Sequence, residues 1–349
     1  MKIIKKFYGL TTEREKVYVY KMIGKNIEIE ILNYGGIIKS ILLPDKYGIR
    51  KNIVASFDSF KEYEKTSMFI GCITGRVAGR IKNGVLKIND KIYQLDCNEG
   101  NNHLHGGYGS LNKKLWNDVA IRASKDMLKL TLRYKSCHLE NKFPAEIDYY
   151  VSYILRKDSL EIRYLGIPDR KTYTSLTNHT FFNLSGDFNK NILDHKICLM
   201  ADKYIQINHE KIPTKILDIQ NSIFDLRKSC KIGKVLNSRE EQLKLGGNGV
   251  DHGFVLEKFH LPQSLVEDIE TGRYMTVKTD QPVIVFYTAN HVREDLILSK
   301  NIKPMKHFGF CLETQDYPDI QNLKKESMKI YDRNNPYIQK TIFKFGVIS

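Results

Sequence analysis

No stretch of this 349-residue chain approaches the roughly 18 consecutive apolar residues of a membrane-spanning helix. The basic start Met1-Lys2-Ile3-Ile4-Lys5-Lys6 runs on into Thr11-Thr12-Glu13-Arg14-Glu15-Lys16 instead of an apolar run and a cleavage site, so no secretory leader is expected. The six cysteines (Cys72, Cys97, Cys137, Cys198, Cys230 and Cys311) form no Cys-x-x-Cys pair and no His/Cys cluster at zinc spacing. Free thiols are therefore expected, with no disulfide framework and no metal. These absences together describe a cytoplasmic protein without membrane attachment.

Low complexity, charge blocks and internal repeats are also missing. The formal charge of +15 raises the question of nucleic acid, because basic faces bind phosphates by releasing counterions. The lysines are spread almost evenly and no nucleic-acid motif accompanies them. A lysine-rich solvated surface is the simpler reading, and no nucleic-acid partner is expected.

What the chain does have is period-2 alternation along nearly its whole length. It shows in Ile27-x-Ile29-x-Ile31, Leu128-x-Leu130-x-Leu132-x-Tyr134, Ile147-x-Tyr149-x-Val151-x-Tyr153-x-Leu155 and Leu160-x-Ile162-x-Tyr164. Such runs are strands with one buried face. Asn89-Asp90 and Lys157-Asp158 each separate two runs and predict short hairpins, so the sheets should be mostly antiparallel. Helical periodicity is nearly absent. Ser59-Phe60-Lys61-Glu62-Tyr63 and Ser238-Arg239-Glu240-Glu241-Gln242-Leu243 read as short capped turns of helix. The expected architecture is all-β, a single β-sandwich domain over residues 1–349, with irregular segments near 98–115 and 205–250 crossing its faces.

Two stretches place a titratable residue among apolar and aromatic neighbours. Glu313 lies between Leu312 and Thr314, and a carboxylate in such a strand is either paired or functional. His179 precedes Phe181-Phe182; a histidine beside aromatics is either a core residue satisfied by a backbone carbonyl or a catalytic group. Together they supply a carboxylate and an imidazole for acid–base chemistry. Asp251 heads a third apolar strand. His103 and His105 sit on a turn-forming loop closed by Gly106-Gly107, and His105 is the better candidate for contact with a ligand. Arg76 and Arg80 lie four apart around Gly79, either as forked donors for vicinal hydroxyls or a carboxylate, or as surface ion pairs.

In order along the chain, Asn33-Tyr34-Gly35-Gly36, Pro44-Asp45, Phe57-Asp58-Ser59, Gly75-Arg76-Val77-Ala78-Gly79-Arg80-Ile81 and Leu104-His105-Gly106-Gly107 match landmarks of one family. So do Asn178-His179-Thr180-Phe181-Phe182-Asn183-Leu184-Ser185-Gly186, Ile212-Pro213-Thr214, Phe224-Asp225, Asp251-His252-x-Phe254-Val255-Leu256, Phe286-Tyr287-Thr288 and Cys311-Leu312-Glu313-Thr314-Gln315. On these motifs the chain resembles the aldose 1-epimerase (galactose mutarotase) family. The resemblance implies a galactose mutarotase-like β-supersandwich with an open cleft on one sheet face and no cofactor. It implies interconversion of the α and β anomers of an aldohexose, galactose or glucose, by a monomer or homodimer. By the same resemblance Glu313 is the general base at the anomeric hydroxyl and His179 the general acid at the ring oxygen, while Arg80, His105 and Asp251 bind the sugar.

Four positions depart from the family pattern. Gly79 stands where Asn is frequent, Ala145 where Gly is usual, Gly253 where Asn is common, and Val285 where a Gln contacts sugar. Loss of an amide at Val285 removes polar contacts and bears on substrate and affinity. Two other readings of the same fold remain open. One is a non-catalytic sugar-binding module, which would tolerate loss of Glu313 or His179. The other is an epimerase for a phosphorylated hexose, which would need a basic cluster at the cleft rim.

Overall fold

The strand Ile147–Leu155 buries Ile147, Tyr149, Val151, Tyr153 and Leu155 completely, as its alternation requires. It pairs on one side with Leu128–Ser136 and on the other with Ser159–Pro168. In this computed structural model, which describes residues 1–256 and 262–348, these strands belong to a nine-stranded sheet. That sheet starts at the edge strand Asn117–Ala123 and continues past Ser159–Pro168 through Tyr337–Val347, Arg273–Thr279, Ser264–Glu267 and Lys196–Leu199 to Cys230–Lys231. A five-stranded sheet takes the N-terminal strands in chain order from Lys2–Leu10 to Arg50–Asn52. A second five-stranded sheet runs Pro213–Asp218, Ala201–Ile207, Asp251–Leu256, Val283–Tyr287, Cys311–Gln315. The pairings in these sheets are antiparallel, and an isolated parallel bridge links Val77 to Ser175.

The inward faces meet in one large apolar cluster. It joins Val151 and Phe343 of the nine-stranded sheet to Ile29 and Ile41 of the N-terminal sheet and to Phe254, Ile284 and Leu312 of the third. Each such side chain contributes about 1.5–3 kcal/mol when taken out of water. The cluster also fixes register at the site, because Leu312 faces this core and strand alternation then turns Glu313 to the opposite face.

Both predicted hairpins form. Val85–Ile88 pairs with Lys91–Gln94 across Asn89, which takes the left-handed conformation (φ 52°) that Asn tolerates, and Leu155 pairs with Leu160 across Lys157-Asp158. The helix after Ser59 spans Phe60–Lys65, and the Glu62 carboxylate accepts the Ser59 backbone N–H at 3.0 Å. The segment near 205–250 is less irregular than its sequence suggests. It holds the strands Pro213–Asp218 and Cys230–Lys231 and the helices Ile232–Leu236 and Glu241–Leu245. Pro213–Asp218 is an edge strand buried only at Pro213, so its pairing with Ala201–Ile207 leaves no alternation in the sequence.

Candidate active site

The third sheet forms one wall of a cleft of about 360 Å³, whose lining includes Arg80, His105, His179, Asp251 and Glu313. All five sequence-predicted site residues therefore meet, from segments up to 233 positions apart in the numbering, Arg80 to Glu313. Glu313 lies mid-strand in Cys311–Gln315, opposite Val285 in the register of its neighbour. His179 follows the two-residue strand Thr177–Asn178. Its N–H donates to Cys72 O (2.8 Å) and its C=O accepts from Gly71 N–H (3.0 Å), so the backbone is held on both sides. Gly71 has φ +72°, and a Cβ there would sit 2.6 Å from Ile38 O, so this close approach requires glycine.

His179 Nε2 lies 3.4 Å from Glu313 Oε1, both side chains being buried. Phe181 (5.0 Å between ring centroids), Phe69 (5.9 Å), Tyr287 (6.3 Å) and the edge of His105 (5.3 Å) surround the imidazole, and Cys311 Sγ lies 3.7 Å from its Nδ1. Burial among these rings pushes the His179 imidazole down to about 4. Burial also raises the Glu313 carboxyl well above the usual carboxylate range; Asp251 adds to the rise and Arg80 opposes it. Both groups are thus biased towards their neutral forms.

His105 is held by a reciprocal pair of bonds with Gly79. Its own N–H donates to Gly79 O (3.0 Å), and Gly79 N–H donates to its ring Nδ1 (3.2 Å). An Nδ1 that accepts leaves the ring proton of the neutral imidazole on Nε2, and burial keeps the ring neutral by lowering its pKa well below the ordinary value. His105 is therefore a donor. The next residue, Gly106, packs so tightly that a Cβ would fall 1.9 Å from Gly75 O.

This tautomer bears on metals. The sequence shows no ligand spacing, yet the fold brings together His105, His179 and Glu313 with ligand atoms within 4.8 Å of one another. In His105, however, Nδ1 is occupied by the Gly79 amide and Nε2 carries the proton. Neither nitrogen offers a free lone pair, so only His179 and Glu313 remain as ligands, too few for a closed site.

Arg80 and Arg76 separate completely. Arg76 is buried in the structure, donating to Ser136 Oγ and to the carbonyls of Ser136, Cys137, Pro144 and Ala145, and it takes no part in the cleft. Arg80 faces the cleft, with Nη1 3.8 Å from Asp251 Oδ2. Asp251 is steadied by its neighbour: its N–H donates to His252 Nδ1 (3.1 Å), and His252 Nε2 bonds Gln242 Oε1 (3.2 Å). His103 is structural too, buried with Nδ1 2.7 Å from Asp96 O.

Sequence reasoning missed three charged residues here, one of them Arg293, which lines the cleft and is paired with Asp295 (Nε to Oδ1 2.8 Å). Glu99 accepts from Arg80 Nε (2.5 Å) and Nη2 (2.8 Å), and Lys211 lines the same cleft with Nζ 2.7 Å from His291 Nε2. A loop glutamate and one lysine of many carry no local signal; only the folded position of Arg80 marks them. Of the departures, Ala145 occupies φ 69°, which explains a preference for glycine at that position, and a Cβ on Gly253 would meet Ile205 Cδ1 at 2.8 Å.

A sequence profile of the family described as Aldose 1-epimerase matches residues 18–344. The chain is 32% identical over 326 residues to galactose mutarotase of Homo sapiens, covering 92% of each, and 31% identical over 331 residues to that of Bos taurus, covering 94% of each. Among solved structures it is similar to galactose 1-epimerase from Lactobacillus acidophilus, with a TM-score of 0.88 at 26% identity over 100% of this chain and 99% of that one.

Proposed function

The chain belongs to the aldose 1-epimerase family and interconverts the α and β anomers of aldoses, and within that activity we propose that Glu313 is the general base, His179 the general acid, and Arg80, His105 and Asp251 the residues that hold the sugar. The observation that carries this reading is the 3.4 Å approach of Glu313 Oε1 to His179 Nε2 on a cleft lined by the other three. Ring opening needs an acceptor at the anomeric hydroxyl and a donor at the ring oxygen, and each positioned proton transfer contributes about 10² to 10⁴ in rate.

In the forward direction Glu313 takes the proton from O1 as O1 becomes the aldehyde oxygen. The C1–O5 bond breaks with its electron pair going to O5, and O5 receives the proton from His179 Nε2. Rotation about C1–C2 then turns the other carbonyl face to O5. On closure O5 attacks C1, His179 recovers its proton from O5, and Glu313 returns its proton to O1. The enzyme ends as it began. His105, fixed as an Nε2–H donor, and Arg80 supply hydrogen bonds to hydroxyls, while Asp251 accepts them.

Galactose and glucose are the proposed substrates, acted on without cofactor by a monomer or homodimer in the cytoplasm, free of nucleic acid and membrane. The six cysteines, free in the structure, fit a reducing compartment, and no described helix is long and apolar enough to cross a membrane. Polarimetry of freshly dissolved α-galactose and α-glucose tests the reading. Both rotations should relax faster with protein than in buffer. Protein that binds galactose by calorimetry yet accelerates no common aldose would overturn the assignment in favour of a binding module.

A further inference from the structure

Five charged side chains share the cleft with the proposed acid and base: Arg80, Lys211, Arg293, Glu99 and Asp251, with Arg293 already turned onto Asp295 (Nε to Oδ1 2.8 Å, Nη2 to Oδ2 2.9 Å). The Glu99 carboxylate covers one edge of the Arg80 guanidinium in a two-bond fork, Nε to Oε2 at 2.5 Å and Nη2 to Oε1 at 2.8 Å. Asp251 Oδ2 stands 3.8 Å from Nη1 on the same guanidinium. Lys211 is not displaced to solvent either, since its Nζ is held 2.7 Å from His291 Nε2.

We propose that Glu99 is a specificity-determining residue that reserves the cleft for uncharged aldoses and rejects aldoses bearing a carboxylate or a phosphate. The proposal rests on the epimerase reading of the same site. A neutral hydroxyl both donates and accepts, so it fits equally well against a carboxylate or a guanidinium. An anionic substituent only accepts. It finds one edge of Arg80, the fork suited to bidentate capture of carboxylate or phosphate, already filled by a carboxylate of its own sign. Arg293 is neutralised by Asp295, Arg80 is forked by Glu99, and Lys211 stands against Asp251, so the cleft is left with no excess of positive charge to draw an anion onto Arg80 past Glu99. The selection is needed because the chain as a whole carries +15 and draws anions towards its surface.

Glu99→Gln keeps the shape of the side chain, removes its charge, and leaves Arg80 and Lys211 facing Asp251 alone. The test compares galactose with galacturonate and galactose 6-phosphate, which share its ring stereochemistry and carry the two kinds of anion. In the wild type, kcat/KM for galactose should exceed that for either anionic sugar by about tenfold or more, since like-charge juxtaposition suppresses wrong partners. In Glu99→Gln that ratio should shrink by about tenfold, with Glu99→Asp retaining the discrimination. Relief for both anions assigns the effect to charge. Relief for galacturonate alone limits it to carboxylates and overturns the phosphate half.

Wild-type enzyme that turns over galacturonate and galactose 6-phosphate as well as galactose would overturn the proposal without any variant. So would an unchanged ratio in folded Glu99→Gln. Wild-type protein that accelerates no aldose at all sinks the epimerase reading instead, and calorimetric affinities for the same three sugars then decide the role of Glu99.

Discussion

Glu313 Oε1 and His179 Nε2 stand 3.4 Å apart with 4% and 8% of their side chains exposed, so the two groups titrate as one buried pair. Burial pushes the carboxyl up and the imidazole down to about 4. The doubly protonated pair therefore loses its first proton from His179, and the second leaves from Glu313. Between those steps the pair holds one proton, which catalysis uses on His179 with Glu313 ionised.

The pH profile follows with its sign. kcat/KM for galactose should be level across the neutral range, where one proton is present. It should fall in acid as a second proton loads onto His179, near pH 4, and fall in alkali as the last proton leaves Glu313. Polarimetric rates from pH 3.5 upwards would check this, on the order of half a pH unit per step. An acid limb at the ordinary imidazole value of 6.5 would contradict the burial argument.

Glu313→Gln should nearly abolish turnover while leaving the fold intact, because an amide keeps the shape but accepts no proton from O1. Polarimetry should record a loss of about two to four orders of magnitude. A folded variant with near wild-type rates would remove Glu313 from the mechanism.

How much of this was legible in the sequence depended on whether the signal was local. Apolar residues at every second position of Ile147–Leu155 announced a strand, and the structure buries all five of them between a paired neighbour on each side. Pro213–Asp218 gave no such sign, being held at an edge by one partner. In the site, Glu313 and His179 stood out as polar residues in apolar settings. Arg76 and Arg80 looked alike four residues apart, and only the fold separates a guanidinium satisfied by backbone carbonyls from one open to the cleft. Glu99 was hidden for the same reason: its partner lies 19 residues away with nothing local to mark the pairing.

Val285 lines the cleft beside Glu313 on the neighbouring strand, with Gly253 next across the sheet. Val285→Gln places an amide on this apolar strip and should tighten sugar binding modestly, by about 0.5–1.5 kcal/mol for one hydrogen bond. A Michaelis constant for galactose and glucose that is unchanged or higher would show that the sugar does not reach this strand.

Activity should survive prolonged treatment with a strong chelator. The grounds are the donor set: His105 has one nitrogen occupied by the Gly79 amide and the other protonated, leaving His179 and Glu313 as the free ligands of the cluster. Loss of turnover on chelation, restored by one particular divalent ion, would defeat this argument.

His179→Asn separates an enzyme from a binding module. Asn retains a donor towards the ring oxygen, so much of the sugar affinity should remain, but its amide has no proton to transfer when the C1–O5 bond breaks. The turnover number should therefore fall far more than affinity measured by calorimetry. The residual rate should also lose the acid limb near pH 4, since the group that gains a proton there is gone. The fall in alkali should go with it, because Glu313, left alone as base, works only once ionised, so the rate rises as its raised carboxyl loses its proton. A purely structural role for His179 would instead lower the whole profile without changing its shape and lower the thermal midpoint, because the lost imidazole packs against Phe181, Phe69 and His105. Retention of the acid limb in a folded variant would assign that titration to another group and remove His179 as the acid.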